Sequence, residues 1–410
     1  MVTSSFDLSA YGLSTDVKAF ESKACTACGQ FSLSSFFTLD SAPVHQNLLY
    51  ASLSEATNCK RGNLNLAFCR ACGFIANISF DSSLLSYSQD YENTQTQSQV
   101  FQQYLQSIAT HLITTHGIKN KTVLEIGCGK GDFLTTICML GNNKGFGFDP
   151  SYLERDDHSV GQIEFVRDFY SPTYSHYHGD LVCCRHVLEH IDNPLSFLRM
   201  VRRSIGGRLD TVIFFEVPCA RWIMRHLVFW DLFYEHCNYF TDLSLTNIFR
   251  LAGFHVTSIL PAFQNQYLWL EAIPADNNTY EVKQDPAQLE QLAYELETFR
   301  TRLLENIFSV SQKLQALKGD NNRAVLWGAG AKGVTLLNTL RISTAQIPFV
   351  VDINPRKHDM FIPGTGQQVV APEKLLDFRP DCIFVMNPIY EHEIRTQVAS
   401  LGLSPEVAVL

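Results

Sequence analysis

The sequence predicts an α/β protein built on doubly wound parallel sheets, with a small cysteine-rich module in front. Two glycine loops, at residues 125–132 and 328–333, each follow a short apolar run. Strand-like and helix-like patterns alternate around both loops, as expected for parallel sheets covered by helices. Glycines at a strand-to-helix turn let the backbone approach a ligand closely. We therefore expect two nucleotide-type folds in one chain of 410 residues, which is too long for one ordinary core.

Composition narrows the class of partner. The chain is 46% apolar and 18% charged, which is typical of a soluble globular protein. A net charge of -9 without a run of Lys or Arg argues against nucleic acid. No segment approaches the roughly 20 apolar residues that span a bilayer, and the first ten residues lack the features of a signal peptide. We expect a cytoplasmic protein with a small-molecule substrate and no membrane partner.

The chain divides into three predicted parts, at residues 1–85, 86–275 and 276–410. The first part is rich in Cys, Ser and Asn and has few periodic stretches, which indicates a loop-rich module without a large core. An apolar-periodic helix is predicted over about residues 100–116, where the second part begins. Four strands should follow in that part, at residues 122–126, 145–149, 180–184 and 211–215.

The third part begins with a long helix and repeats the alternating pattern. Apolar residues near helical spacing between Gln284 and Lys318 predict a connecting helix that covers apolar surface. The strands expected after it are residues 324–327, 349–352 and 382–386. They form a second, shorter Rossmann-like unit.

Two Cys-x-x-Cys pairs lie in the first module. Cys25 and Cys28 form one pair and Cys69 and Cys72 the other, each followed by glycine. Four thiolates suit a tetrahedral structural zinc, and the trailing glycine permits the tight turn that brings backbone N–H groups toward sulfur. With all four ligands protein-derived, the ion would stabilise the fold. The alternative, small buried hydrophobic thiols, is our interpretation of the other eight cysteines, at positions 59, 128, 138, 183, 184, 219, 237 and 382.

The first glycine loop carries an acidic residue on its strand. Glu125 would be a poor neighbour for a phosphate, which favours a cationic or amine-bearing ligand. Asp149 ends the second strand, where a carboxylate can accept ribose hydroxyls. Together these features resemble the S-adenosylmethionine (SAM) site of class I methyltransferases, and the matching residues are Glu125, Gly127, Gly129, Gly131, Asp149 and the adenine-side pair Asp168 and Phe169. A nicotinamide dinucleotide fold is the alternative.

A narrower resemblance covers nearly the whole chain from Cys25 onward. It rests on the double Cys-x-x-Cys module, the second glycine loop and several further segments, namely residues 185–194, 215–218, 233–240, 351–358, 363–365 and Asn387. In this order they resemble the sugar C-methyltransferases that act on nucleotide-linked ketosugars. That family has a zinc-binding N-terminal module, a class I methyltransferase core and a C-terminal Rossmann-like domain.

The resemblance implies a set of reacting groups. His236 would be the base that removes a proton beside the ketone, with Glu235 orienting or polarising it and Tyr91 reaching in from the N-terminal side. His186 would face the cofactor. The family has tyrosine two residues before its Glu-His pair, where this chain has Phe233, and a phenyl ring cannot donate a hydrogen bond. Either Tyr234 turns inward, or Tyr91 or a water supplies that bond, or the acceptor differs.

His186 and His190 also permit an alternative as metal ligands on one helix face, but no third ligand accompanies them in the sequence.

The second glycine loop permits two interpretations. Gly328, Gly330 and Gly333, with an acidic residue some twenty positions on, satisfy the dinucleotide fingerprint, so an NAD-dependent oxidoreductase or a non-catalytic nucleotide-sugar binder is an alternative. Fewer than 90 residues follow the loop, which is short for hydride transfer domains. By resemblance the loop instead holds the diphosphate of the sugar nucleotide, where Lys332 supplies positive charge and Lys357 or His358 assists, while Asn387 is a polar contact to the substrate.

The sequence therefore predicts SAM-dependent methyl transfer to carbon of a nucleotide-linked ketosugar. The nearest alternative keeps the cofactor and changes the acceptor to oxygen or nitrogen on a related sugar.

Overall fold

The computed structural model describes residues 12–20, 22–154, 162–276, 285–316 and 323–410. The ten N-terminal residues considered above, and both ends proposed for the connecting helix, lie outside these ranges. Within them, three sheets follow one another along the chain.

The N-terminal module is an antiparallel sheet, so the expectation of a loop-rich module without a large core is wrong. Six strands belong to it within the described residues, in the order β1-β3-β4-β5-β11 with β2 paired to β3. Their bounds are β1 Leu13–Ser14, β2 Lys18–Phe20, β3 Leu33–Pro43, β4 Arg61–Cys69, β5 Ile75–Asn77 and β11 Asn238–Tyr239, with a short helix α1 Leu53–Thr57 before β4. Because β11 comes from far along the chain, the module and the next domain share a sheet.

The second sheet is the core of the middle domain and has seven strands in the described residues, in the order β12-β13-β10-β9-β6-β7-β8. Five central and edge strands run parallel, and β13 joins β10 antiparallel. The bounds are β6 Thr122–Ile126, β7 Lys144–Phe148, β8 Ile163–Val166, β9 Leu181–Arg185, β10 Val212–Pro218, β12 Phe254–Ala262 and β13 Tyr267–Pro274. The four strands predicted for this region are confirmed within one to three residues at their ends.

Helices on both faces cover this sheet. They are α2 Gln99–His116, α3 Asp132–Gly141, α4 Pro194–Ile205, α5 Ala220–His226 and α6 Asp242–Ala252. Helix α2 begins where the Ser98 side chain accepts from the Phe101 N–H, and it ends at Gly117 in the left-handed region. Its buried face, which includes Leu105, Ile108 and Leu112, packs on β6 and α3.

The C-terminal domain is a five-stranded parallel sheet with the order β16-β15-β14-β17-β18. Its strands are β14 Ala324–Trp327, β15 Phe349–Val351, β16 Gln368–Val370, β17 Cys382–Val385 and β18 Glu406–Val409, and its helices are α8 Ala331–Thr339, α9 Leu375–Phe378 and α10 Glu391–Ser400. The three predicted strands are confirmed, and two short edge strands are added. The doubly wound α/β class is therefore confirmed.

A long helix, α7 Pro286–Ala316, connects the two α/β units, as predicted. Its buried side chains recur every three or four residues, and they are Leu292, Leu296, Phe299, Leu303, Ile307, Val310 and Leu314. They pack in one cluster with side chains of the N-terminal module and of the C-terminal sheet. The helix thereby holds the parts of the chain together.

Two further findings concern burial. Each of the eight cysteines outside the Cys-x-x-Cys pairs is buried, in agreement with our interpretation of them as small hydrophobic residues. Across the described ranges, no helix is both long and apolar enough to cross a bilayer.

Candidate active site

A single cavity of about 1080 Å³ lies between the middle and C-terminal domains. Both glycine loops line it, as do His236 and Tyr91. This position follows from topology, because loops at the carboxyl ends of parallel strands meet at one edge of a sheet. The two loops, almost two hundred residues apart in sequence, therefore face the same space.

The first loop has a backbone that only glycine tolerates well. Gly127, Gly129 and Gly131 have φ of 74°, 56° and 85°, in the left-handed region. A Cβ on Gly127 would lie 2.1 Å from Val187 Cγ2, so a side chain there would close the floor of the cavity. The loop leads into α3, whose first N–H groups suit a polar ligand.

Asp149 supports this loop from the next strand. One carboxylate oxygen accepts from the Gly129 N–H at 2.8 Å, and the other accepts from the N–H and hydroxyl of Ser151 at 2.7 and 2.6 Å. Asp149 lines the cavity, as does Phe169, whose ring is 59% exposed. Asp168 does not line it, because its carboxylate accepts from the Phe169 N–H and the Tyr174 hydroxyl.

Glu125 is a buried carboxyl at the cavity wall, and among the described residues its Oε2 has no hydrogen-bond partner. Burial, only partly offset by the charge of Arg185, raises the pKa of Glu125 to about 8. A cationic group beside Oε2 would stabilise the ionised form. The orphaned oxygen and the glycine floor thus fit an amine-bearing ligand such as the methionine part of SAM.

His186 lies between two buried carboxylates. Its Nε2 is 2.9 Å from Glu216 Oε1, and its Nδ1 is 3.5 Å from Glu189 Oε1. Burial would lower the pKa of His186, but these two carboxylates outweigh it and raise the pKa to about 9. Arg185 donates to the other oxygen of Glu216 at 3.1 Å. His186 lines the cavity and is held as a cation at neutral pH.

The second loop is equally tight. Asp352 accepts from the Ala329 N–H at 2.8 Å, which repeats the role of Asp149 in the first loop. A Cβ on Gly333 would lie 2.3 Å from the Gly328 carbonyl oxygen, so the start of α8 packs directly on the loop. Gly328 and Gly330 line the cavity ahead of the N-terminus of α8.

The predicted basic and polar partners of this loop all reach the cavity. Lys332 forms an ion pair with Asp231, and Lys357 donates to the Ala329 carbonyl at 3.2 Å with Asp352 at 3.5 Å. Asn387 exchanges two amide hydrogen bonds with Gln266, of 2.8 and 3.1 Å, and so links the C-terminal domain to β13 of the middle domain.

His236 lines the same cavity as the two loops. Its ring centroid is 4.8 Å from that of His190 and 4.0 Å from that of Phe233. Burial, with the neighbouring charges of His190, His186 and Lys332, holds the pKa of His236 well below its usual range. Its ring is therefore neutral at physiological pH and free to accept a proton.

Glu235 and Tyr234 point away from His236. Glu235 is fully buried, and its carboxylate accepts from the Gln46 N–H at 3.0 Å and lies 3.1 Å from His45 Nδ1. These bonds join it to the N-terminal module, and in the described part of the chain no hydrogen bond joins it to His236.

The Tyr234 hydroxyl exchanges hydrogen bonds with the Asp81 backbone, at 2.9 and 3.3 Å, and does not line the cavity. The alternative in which Tyr234 replaces the missing tyrosine is therefore not the arrangement observed.

Tyr91 is buried, lines the cavity, and accepts from Asn47 Nδ2 at 3.3 Å. Burial and the nearby Glu235 charge raise the pKa of Tyr91 well above its usual range, so its hydroxyl remains protonated. Tyr87 packs against it with ring centroids 5.1 Å apart. Tyr91 is thus a hydrogen-bond donor facing the same space as His236.

Several cavity residues were not predicted from the sequence. Tyr87 lies with its hydroxyl 3.3 Å from His190 Nδ1, which places a chain of polar rings beside His236. Glu189 is buried, and apart from the 3.5 Å ion pair of its Oε1 with His186 Nδ1 its carboxylate makes no hydrogen bond to the described residues. The ligand atoms of Glu189, His190 and His236 lie within 4.8 Å of one another. The His-x-x-Glu-His spacing of residues 186–190 is the sequence signal that points to Glu189 as well as to the two histidines.

The four predicted zinc ligands meet at one point. Cys25 Sγ lies 3.8 Å from Cys72 Sγ, and Cys28 Sγ lies 3.7 Å from Cys69 Sγ. Four thiolates at about 2.3 Å from a tetrahedral zinc are about 3.8 Å apart, so the cluster fits that ion. The glycine after each pair has positive φ, which allows the tight turn, and its N–H donates to the carbonyl oxygen of the first cysteine of the pair.

The fold and this site define the class of protein, and the comparisons agree. Residues 96–259 match the family described as a methyltransferase domain, and residues 279–403 match the C-methyltransferase C-terminal domain. The chain therefore carries a methyltransferase domain followed by a C-methyltransferase C-terminal domain. The second match favours a C-methyltransferase domain over a dehydrogenase as the interpretation of the second glycine loop.

One curated relative is the C-methyltransferase NovU of Streptomyces niveus, which is 26% identical over 225 residues. The match covers 52% of this chain and 52% of that protein, so it spans about half the length of each.

Solved structures similar to part of the chain include magnesium protoporphyrin IX methyltransferase from Synechocystis PCC 6803 with bound SAH (16% identity, 43% of this chain and 84% of that chain, TM-score 0.34). Another is human N-acetylserotonin methyltransferase in complex with SAM (16% identity, 43% of this chain and 55% of that chain, TM-score 0.34).

Proposed function

We propose that this enzyme transfers a methyl group from SAM to a carbon atom of a nucleotide-linked ketosugar, with His236 as the base. The observation that carries the proposal is one cavity lined by both glycine loops, by His236 and by Tyr91. One loop offers a carboxyl to a cation, and the other offers a helix N-terminus and lysines to an anion.

The first loop is proposed to hold the methyl donor. SAM, when bound, supplies an electrophilic methyl group on a sulfonium. Glu125 Oε2 would accept from the amine, Asp149 would accept from the ribose hydroxyls, and the exposed ring of Phe169 would contact the adenine. The cation His186 stays bound to its two carboxylates and fixes the wall beside the reacting groups.

The second loop is proposed to hold the substrate diphosphate. The N-terminal N–H groups of α8 and the positive end of its dipole favour an anion. Lys332 would exchange Asp231 for phosphate oxygens, and Lys357 already lies against the loop. Asn387 and Gln266, bonded to each other between the domains, are polar contacts for the sugar.

His236 then removes the proton from the carbon beside the ketone. The C–H electron pair becomes the enolate and the proton goes to an imidazole nitrogen. The nucleophilic carbon would then accept the methyl group as its bond to the sulfonium sulfur breaks, which leaves a neutral thioether. The low pKa of His236 keeps its ring unprotonated but also makes it a weak base, so the enolate oxygen needs a donor. Tyr91 is that donor in our proposal, and the nearby Glu189 carboxylate stabilises the imidazolium once it forms.

We further propose that Cys25, Cys28, Cys69 and Cys72 hold a structural zinc ion. The ion would join the turn before β3 to the turn between β4 and β5. The matching sulfur separations support it.

A screen of nucleotide-linked ketosugars with isotopically labelled methyl donor tests the proposed function. Mass spectrometry should find a labelled product for at least one substrate, and no product with His236→Ala. Retention of full methylation by His236→Ala would contradict the assigned base. Deuterium exchange from solvent beside the ketone, without the donor, should occur in the wild-type protein only.

A further inference from the structure

A second group of potential metal ligands lies away from the cavity, where the end of α2 meets β13. His111 and His116 belong to the last two turns of α2, and Glu271 lies on β13. The nitrogen and oxygen ligand atoms of these three residues lie within 4.8 Å of one another. None of them contributes to the glycine loops or to the cavity wall.

The Glu271 carboxylate already joins the two imidazoles by direct polar contacts, which an inserted zinc ion would lengthen to about 3.3 Å. His111 Nε2 is 2.5 Å from Glu271 Oε1, and His116 Nε2 is 2.8 Å from Glu271 Oε2. The carboxylate is 8% exposed, whereas the two imidazoles are 30% and 22% exposed. A buried carboxylate thus forms the floor, and two half-exposed imidazoles form the sides, with an opening to solvent for entry of an ion and for a water ligand.

Surrounding contacts hold the ligands in place. His111 Nδ1 lies 3.3 Å from Thr115 Oγ1. When Nδ1 carries the proton and donates it to this hydroxyl, Nε2 is the nitrogen that can coordinate an ion. The Trp269 ring packs against His111 with centroids 5.6 Å apart. His116 is the last residue of α2, and the left-handed Gly117 turns the chain away there, so its side chain is fixed at the helix end.

We propose that His111, His116 and Glu271 form a binding site for a divalent transition-metal ion, with zinc favoured. Two imidazoles and one carboxylate are the borderline nitrogen and oxygen ligands that Zn²⁺ accepts in tetrahedral sites, with water at the fourth position. The ion replaces the proton that each Nε2 shares with Glu271. Because its ligands come from a helix and from a neighbouring strand, the ion clamps the end of α2 to β13 of the middle sheet.

Zinc content tests this site independently of the cysteine cluster, which is the same in every protein compared. Wild-type protein, Glu271→Gln, His116→Gln and the control His392→Gln are equilibrated with a zinc buffer and their metal content is measured after gel filtration. His392 is an exposed histidine on α10 of the C-terminal domain. We expect wild type and the control to hold one zinc ion per chain more than the other two variants.

A thermal readout accompanies the measurement, because a bound ion stabilises the native state. Added zinc should raise the melting temperature of wild type and control more than that of Glu271→Gln and His116→Gln. Equal zinc content in all four proteins would overturn the proposal and leave Glu271 as a hydrogen-bond partner of two histidines. The amide of Glu271→Gln retains hydrogen-bonding groups, and circular dichroism verifies that each variant is folded.

Discussion

Donor binding should release a proton, because Glu125 changes its ionisation when a cation reaches it. In the free protein the pKa of Glu125 is about 8, so about 0.9 of the carboxyl is protonated at pH 7. An amine bound at Oε2 stabilises the carboxylate, and this proton leaves. The α-amine of the ligand lies beside its own carboxylate and is already protonated at pH 7, so it takes up almost no proton. A net release of about 0.9 proton per bound ligand is expected.

Isothermal titration calorimetry with S-adenosylhomocysteine measures this number, since the observed heat depends on the ionisation enthalpy of the buffer. Glu125→Gln should abolish the release and weaken binding about 10–100-fold. The control Glu164→Gln changes an exposed carboxyl on β8 and should behave as wild type. The affinity of wild type should also rise as the pH increases from 6 to 7, by up to about tenfold. A release that persists unchanged in Glu125→Gln would refute the reasoning.

Three further predictions follow from packing, hydrogen bonding and charge. Gly333→Ala should weaken substrate binding and lower the free energy of unfolding by about 1–3 kcal/mol, because its Cβ would lie 2.3 Å from a loop carbonyl oxygen. The control Gly207→Ala, whose Cβ would meet no described atom within 4 Å, should be neutral in the same binding and unfolding assays. Tyr91→Phe should lower kcat about 100-fold with little change in KM, and Tyr234→Phe should instead cost about 1 kcal/mol of stability; the reverse pattern would contradict the assignment of the donor. The raised pKa of His186 contributes stability that is present below pH 6.5 and is lost as the pH rises through about 9. Between pH 7 and 10 the free energy of unfolding of wild type should therefore fall by up to about 3 kcal/mol. His186→Gln should not show this fall when the two proteins are compared by denaturant titration.

The parallel sheets could be predicted because their signals are local. A buried strand, a glycine turn and an acidic residue on the next strand occur within about 25 residues, as Glu125 and Asp149 illustrate. Strand β3 could not be predicted in the same way. A β-bulge between Ser35 and Phe37 shifts its register, so that Phe36 and Phe37 are both buried, and the two-residue alternation that marks a strand is lost.

The candidate site divides along the same line. Adjacent residues in a turn can face opposite sides, and Glu235 and His236 do so: one bonds to His45, 190 residues earlier, and the other enters the cavity. No spacing in the sequence reveals a partner at that distance. The sequence does not reveal the roles of Tyr87 and Glu189, because these roles come from burial beside His236. That burial depends on how the N-terminal module packs on the middle domain.

The central claim is that methyl transfer between the two loops forms a carbon–carbon bond. It is tested most directly by carbon NMR of the product made with ¹³C-methyl SAM and a nucleotide-linked ketosugar. The account predicts a labelled methyl group bonded to the ring carbon beside the ketone, and its absence with His236→Ala. A methyl group on oxygen or nitrogen would contradict the account. It would indicate that Phe233, in place of the family's tyrosine, accompanies a different acceptor.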